Sequence, residues 1–165
     1  MDFFQNTINW IKGELFEASL ILSFGLVTVL AAFLFWKFGT TPNAKALFFP
    51  LLICGLVYTT IGSGMRISNP KRMTKYQHEY KVNRAAFIQA EKKRVEDFQY
   101  GYTISKIVAS LFFPMTVLIF WLTKNPTWQG IGIGLAYFAL SGLVIDYFSQ
   151  ERADIYYKAI RQALS

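Results

Sequence analysis

Four stretches of this chain exclude charge almost completely, and they constrain its fold more than anything else in it. They run over residues 19–36, 46–65, 104–123 and 129–148; the first two hold no charged side chain, the third only Lys106 and the fourth only Asp146. A bilayer core of about 30 Å needs about 20 apolar residues at helical rise, and each stretch is close to that length. A water-soluble bundle would instead place polar residues at every third or fourth position, a period these stretches lack. The spacing predicts an all-α, polytopic membrane protein with four transmembrane helices in a single membrane domain.

The polar remainder supports the same layout. Residues 66–103, extended to Lys106, form a basic island with ten of the chain's seventeen Lys and Arg residues, four acids and the only histidine. With both termini on the island's side of the membrane, fourteen of the seventeen basic residues fall on that side; only Lys37, Lys45 and Lys124 fall on the other. Basic residues stay preferentially in the cytoplasm, so both termini are expected there. The net charge of +7 follows from that bias, and it suits anionic lipids at the cytoplasmic face better than nucleic acid.

Local signals fill in the connections. Residues 1–17 carry Phe3, Phe4, Ile8, Ile11 and Leu15 at helical spacing, which predicts an N-terminal interfacial helix lying along the headgroups. Gly39-Thr40-Thr41-Pro42-Asn43 and Lys124-Asn125-Pro126-Thr127 are turns. Asn69-Pro70 has the form of a helix start, a capping side chain followed by proline, so a short separate helix is expected from Pro70 to about Val82. A further helix starts at Asn83 and runs into the third span. The tail, residues 149–165, continues the fourth span. The third and fourth spans therefore extend together below the membrane as a cytoplasmic helical hairpin, or stalk. If Ile104 and Tyr147 mark one depth, Val95 and Phe98 fall near Tyr156 and Ala153, and Glu91 and Arg94 approach Asp154 and Lys158. Gly130/Gly134 and Gly132/Ala136 in the fourth span mark a close helix–helix face.

Catalytic, cofactor and metal constellations are not assigned from this sequence. Cys54 has no second cysteine to pair with. One histidine without a cysteine cluster does not build a closed metal site, and no phosphate-binding glycine loop or nucleophile elbow is found. Arg72 and His78 share a short spacing with helical RNA-cleaving domains, but that chemistry needs a soluble bundle of its own. Glu151-Arg152 departs from the Glu-Arg-x-x-x-Asn pattern of four-span glutathione-dependent enzymes at Tyr156. The candidates for interaction are Arg84, Glu91 and Arg94 on the island with Arg152, Asp154 and Tyr157 on the tail; their plainer role is to fasten the two helices together. Asp146, an acid near a span interior, is the candidate ion or proton ligand, with Lys106 or Arg152 as its expected partner.

The island Phe87-xxx-Glu91-xx-Arg94-Val95 and the tail Glu151-Arg152-Ala153-Asp154-xx-Tyr157, set after the second and fourth spans, resemble those of small four-span bacterial inner-membrane proteins without an assigned activity. In size and topology the chain is similar to membrane proteins that confer immunity to pore-forming toxins. The resemblance implies no activity; the leading expectation is a non-enzymatic binding or accessory protein, an assembly or immunity-type factor, with a membrane-protein partner or a second copy of itself. The alternative is a homo-oligomeric ion channel or small-solute transporter with Asp146 near the pathway.

Overall fold

The computed structural model describes residues 3–165, and these form helices joined by short turns. In chain order they are α1 (Phe3–Phe38), α2 (Pro42–Ala46), α3 (Phe48–Val82), α4 (Arg84–Leu122) and α5 (Pro126–Leu164). Four helical stretches are long and apolar enough to cross a membrane, with α2 and α3 counting as one. Each turn is built by its own residues. Thr41 Oγ1 accepts the Ala44 N–H at 3.2 Å and starts α2. Asn83 alone separates α3 from α4: its N–H closes α3 on the Glu79 carbonyl, and its Oδ1 accepts the Ala86 N–H at 3.0 Å to open α4. Asn125 caps α5 at Thr127 N–H, with Pro126 at the first helical position, where its missing N–H costs nothing.

The four long helices run alternately up and down and pair as α1 with α3 and α4 with α5. Along α1 and α3 the backbones touch. A Cβ on Gly25 would stand 2.4 Å from the Thr59 nitrogen, one on Gly55 2.8 Å from the Val29 nitrogen, and one on Gly62 2.5 Å from the Leu22 nitrogen. Hydroxyls add bonds between the spans: Tyr58 donates to the Phe138 carbonyl at 2.8 Å and Thr116 to the Gly132 carbonyl at 2.9 Å.

Every long helix continues unbroken from its apolar stretch into the polar end of the molecule. There the four helices enclose one core made of Phe3, Trp10, Ile11, Tyr76, Phe87, Ile88, Val95, Ala153, Tyr156 and Ile160. The expected pairing of α4 with α5 is present, and Val95 meets Ala153 and Tyr156 in that core.

Two expectations are corrected. Residues 3–17 are not a separate interfacial helix but the first turns of α1, and Phe3, Trp10 and Ile11 are buried in the stalk instead of facing headgroups; Met1 and Asp2 of that expectation lie outside the described residues. An amphipathic stretch serves a protein groove as well as a lipid surface, and α3, α4 and α5 provide the groove. Nor does a helix begin at Pro70. α3 passes through it, and Asn69 is buried, accepting a bond from Arg72 at 3.4 Å where a cap was expected. Residues 66–103 thus hold no independent insert; they are the stalk ends of α3 and α4.

Candidate functional site

Polar chemistry concentrates where the stalk meets the apolar half of the bundle. In the stalk core Glu91, only 3% exposed, is held by two residues. Arg94 Nε donates to it at 2.8 Å, its Nη2 makes a second, short contact, and the Tyr156 hydroxyl donates at 2.8 Å. With that proton committed to the carboxylate, the Thr7 hydroxyl donates to the Tyr156 oxygen, 2.9 Å away. The Arg94 guanidinium lies 4.4 Å from the centre of the Trp10 ring, and Trp10 stacks on Tyr156 at 5.3 Å. Burial, and then the adjacent Glu91 charge, push the Tyr156 phenol far above its ordinary range, so it stays a neutral donor. One buried cluster thereby ties α1, α4 and α5 together, with Tyr76 of α3 against the same guanidinium at 5.4 Å.

The other sequence-derived candidates have partners within the chain. Arg152 pairs with Glu17. Asp154 accepts from Gln99 Nε2 at 2.8 Å, so it does not meet Glu91 or Arg94 as expected; those two are one turn apart on α4 and bind each other. Tyr157 donates to Glu96 at 2.6 Å. Arg84 sits 5.6 Å from the Tyr80 ring centre. His78 is exposed. Asp146 pairs with neither Lys106, which bonds Gln150 at 2.7 Å, nor Arg152.

Asp146 instead lines a cavity of about 290 Å³ directly beneath the stalk, together with Glu14, Glu17, Trp10, Tyr58 and Tyr102. Four of its polar groups stand out. Glu17 spends Oε2 on Arg152 and on Ser149, 3.0 Å away, while Oε1 is buried with no partner. Asp146 Oδ2 and the Trp10 indole N–H are likewise buried and unpartnered. Glu14, 7% exposed, has no hydrogen bond among the described residues. Burial, and then Glu17 beside it, raise its carboxyl to about 7, against the opposing pull of Arg152, Arg94 and Arg72.

The sequence reading missed Trp10, Glu14 and Glu17. The available signal was their spacing: 10, 14, 17 and 21 form one helical stripe, and two acids on a stripe that ends in Ile21 mark carboxylates turned inward. Among the described residues, no group of three or more His, Cys, Asp or Glu is placed to hold a metal ion.

A second concavity lies among the spans. α3, α4 and α5 leave an apolar groove of about 910 Å³ lined by Phe49, Pro50, Ile53, Phe112, Ile131 and Phe138 among others, with Lys45 and Asn125 at its far end. Set against protein-family models, curated proteins and solved structures, the chain matches none of them.

Proposed function

We propose that this chain is a non-enzymatic binding protein of a bacterial inner membrane, an assembly, accessory or immunity-type factor, with both termini and the stalk in the cytoplasm. It takes a transmembrane helix of a partner protein into the groove between α3 and α4. The observation that supports this reading is the uneven burial of α4. Its stalk half buries Phe87, Ile88, Glu91 and Val95, whereas Ala109 is the one buried residue of its apolar half. Association between helices in lipid comes from packing and hydrogen bonds, so a span held by one neighbour leaves a face for another helix. The stalk supports the same division of labour, because the polar side chains first considered for partner contact are engaged within the chain. Photo-reactive residues at Ile53 and Phe112, in the groove, should cross-link to one protein in native membranes; the same probe at exposed Val117 should not. Lipid adducts alone at all three positions would refute the reading.

Transport through a homo-oligomer is the second reading, favoured by the unpartnered Asp146 carboxylate beside the spans. Asp146→Asn should then abolish ion flux in reconstituted vesicles, and unchanged flux removes that reading.

A further inference from the structure

We propose that the cavity beneath the stalk is a binding site for a small primary ammonium ion that also carries an oxygen acceptor, an amino alcohol in chemical class. Buried acceptors and donors without partners are costly, and here they share one cavity. Glu17 Oε1 and Asp146 Oδ2 are acceptors with nothing donating to them, and the Trp10 N–H is a donor with nothing accepting. Glu14 adds a third carboxyl to the lining.

Charge points to a cation. The lining carries three carboxyls, Glu14, Glu17 and Asp146, and no basic side chain; of the basic groups nearby, Arg152 serves Glu17, Arg94 serves Glu91, and Arg72, Arg66 and Lys106 bond Asn69, Ser19 and Gln150. Asp146 and Glu14 are left without an ion-pair partner. Among the described residues no three such groups are placed to hold a metal ion, and an inorganic cation would leave the Trp10 donor without an acceptor. A ligand that carries both an ammonium and an oxygen answers acceptors and donor alike. Its ammonium donates to the acids, its oxygen accepts from Trp10, and the rings of Tyr58, Tyr102 and Phe98 flank it, a setting in which a cation gains about 0.5–2 kcal/mol from aromatic faces. The volume, about 290 Å³, fits a molecule of that size.

Glu14 couples this site to pH. It faces Glu17 on its own helix, Arg72 on α3, Arg94 on α4 and Arg152 on α5, with Asp146, Tyr58 and Tyr102 across the cavity. Held at about 7, it is about nine-tenths protonated at pH 6 and about nine-tenths ionised at pH 8. Ammonium affinity therefore rises over that interval, by up to about tenfold. The site shares only Phe138 with the groove, and loss of either activity leaves the other measurable.

The test is isothermal titration of the full chain in phosphatidylglycerol nanodiscs with ethanolammonium chloride, and with tetramethylammonium chloride and ethylene glycol as controls. Saturable binding of ethanolammonium alone, stronger at pH 8 than at pH 6 and weakened at least tenfold by Asp146→Asn or Glu14→Gln, is the expected result. No saturable heat, equal binding of tetramethylammonium, or full affinity in both variants would overturn the proposal. Should either variant fail to fold, the wild-type pH dependence and the two controls decide alone. Competition from phosphatidylethanolamine added to the nanodiscs would identify a lipid headgroup as the source of the amine, and its absence a soluble one.

Discussion

The same four helices are packed by opposite means at their two ends. In the stalk, large side chains do the work: Phe3, Trp10, Tyr76, Phe87 and Tyr156 fill one core, and all four helices meet around Glu91. Among the spans the contact between α1 and α3 is made by the smallest residue available, and the bonds between helices run from hydroxyls to main-chain carbonyls. The difference is the one expected of a stalk in water and apolar stretches in lipid, the placement proposed above. Water drives apolar surface together, so the stalk gains by burying rings. Lipid tails are as apolar as leucine and drive nothing, so the spans associate where backbones come close and hydrogen bonds form. Gaps that water would penalise, such as the groove along α3 and α4, persist there.

This contrast can be broken at the stalk first. Glu91→Ala leaves Arg94 buried without its counter-charge and Tyr156 without its acceptor, a loss of about 3–5 kcal/mol. Chemical denaturation in detergent should show it, and Tyr156→Phe should cost less because the ion pair survives. At the spans, Gly62→Ala drives a Cβ into the α1 backbone, where nothing flexible gives way, and should cost about 1–3 kcal/mol. Gly64→Ala, two residues on, meets nothing within 4 Å and should stabilise α3 by up to about 1 kcal/mol. Reversal of that order would mean that close backbone approach does not hold the spans. A pH-dependent effect lies at the junction of the two regions. Because Glu14 is raised in the folded protein to about 7, the fold binds its proton more tightly than the unfolded chain does. Its contribution is complete below about pH 4.5 and lost as pH rises through 7. Glu14→Gln should flatten that slope, with a gain on the order of 2 kcal/mol at pH 8, read from melting curves at pH 5 and 8.

How much of this was legible beforehand divides along the same line. The four spans and the joint extension of α4 and α5 could be read because exclusion of charge over 20 residues is a global signal that no local preference overrides. The meeting of Val95 with Tyr156 followed from matching depths on antiparallel helices. Asn69-Pro70 misled because a cap is a local signal; in the fold Asn69 is buried and α3 runs on through the proline. The N-terminal segment misled for a different reason, since amphipathicity records that a face is buried and not what buries it. Of the cavity, Asp146 was found because a lone acid in an apolar run is conspicuous. Glu14 and Glu17 were hidden in a segment already rich in polar residues. The groove left no trace at all, for a side chain facing lipid and one facing an empty cleft obey the same hydropathy.

Asn83 has one more consequence, a mechanical one. It is the only residue between two rods, of which α3 alone is 35 residues and so about 50 Å long. Rods joined at one tip act as tweezers: a rotation of about 5° at the joint moves points about 50 Å away by about 4 Å. The groove lies on the distant arms and the Glu91 clamp close to the pivot. A rotation at Asn83 would thus move the two rods most where the groove lies and least at the clamp, and the bonds of Tyr58 and Thr116 to α5 are what resist it.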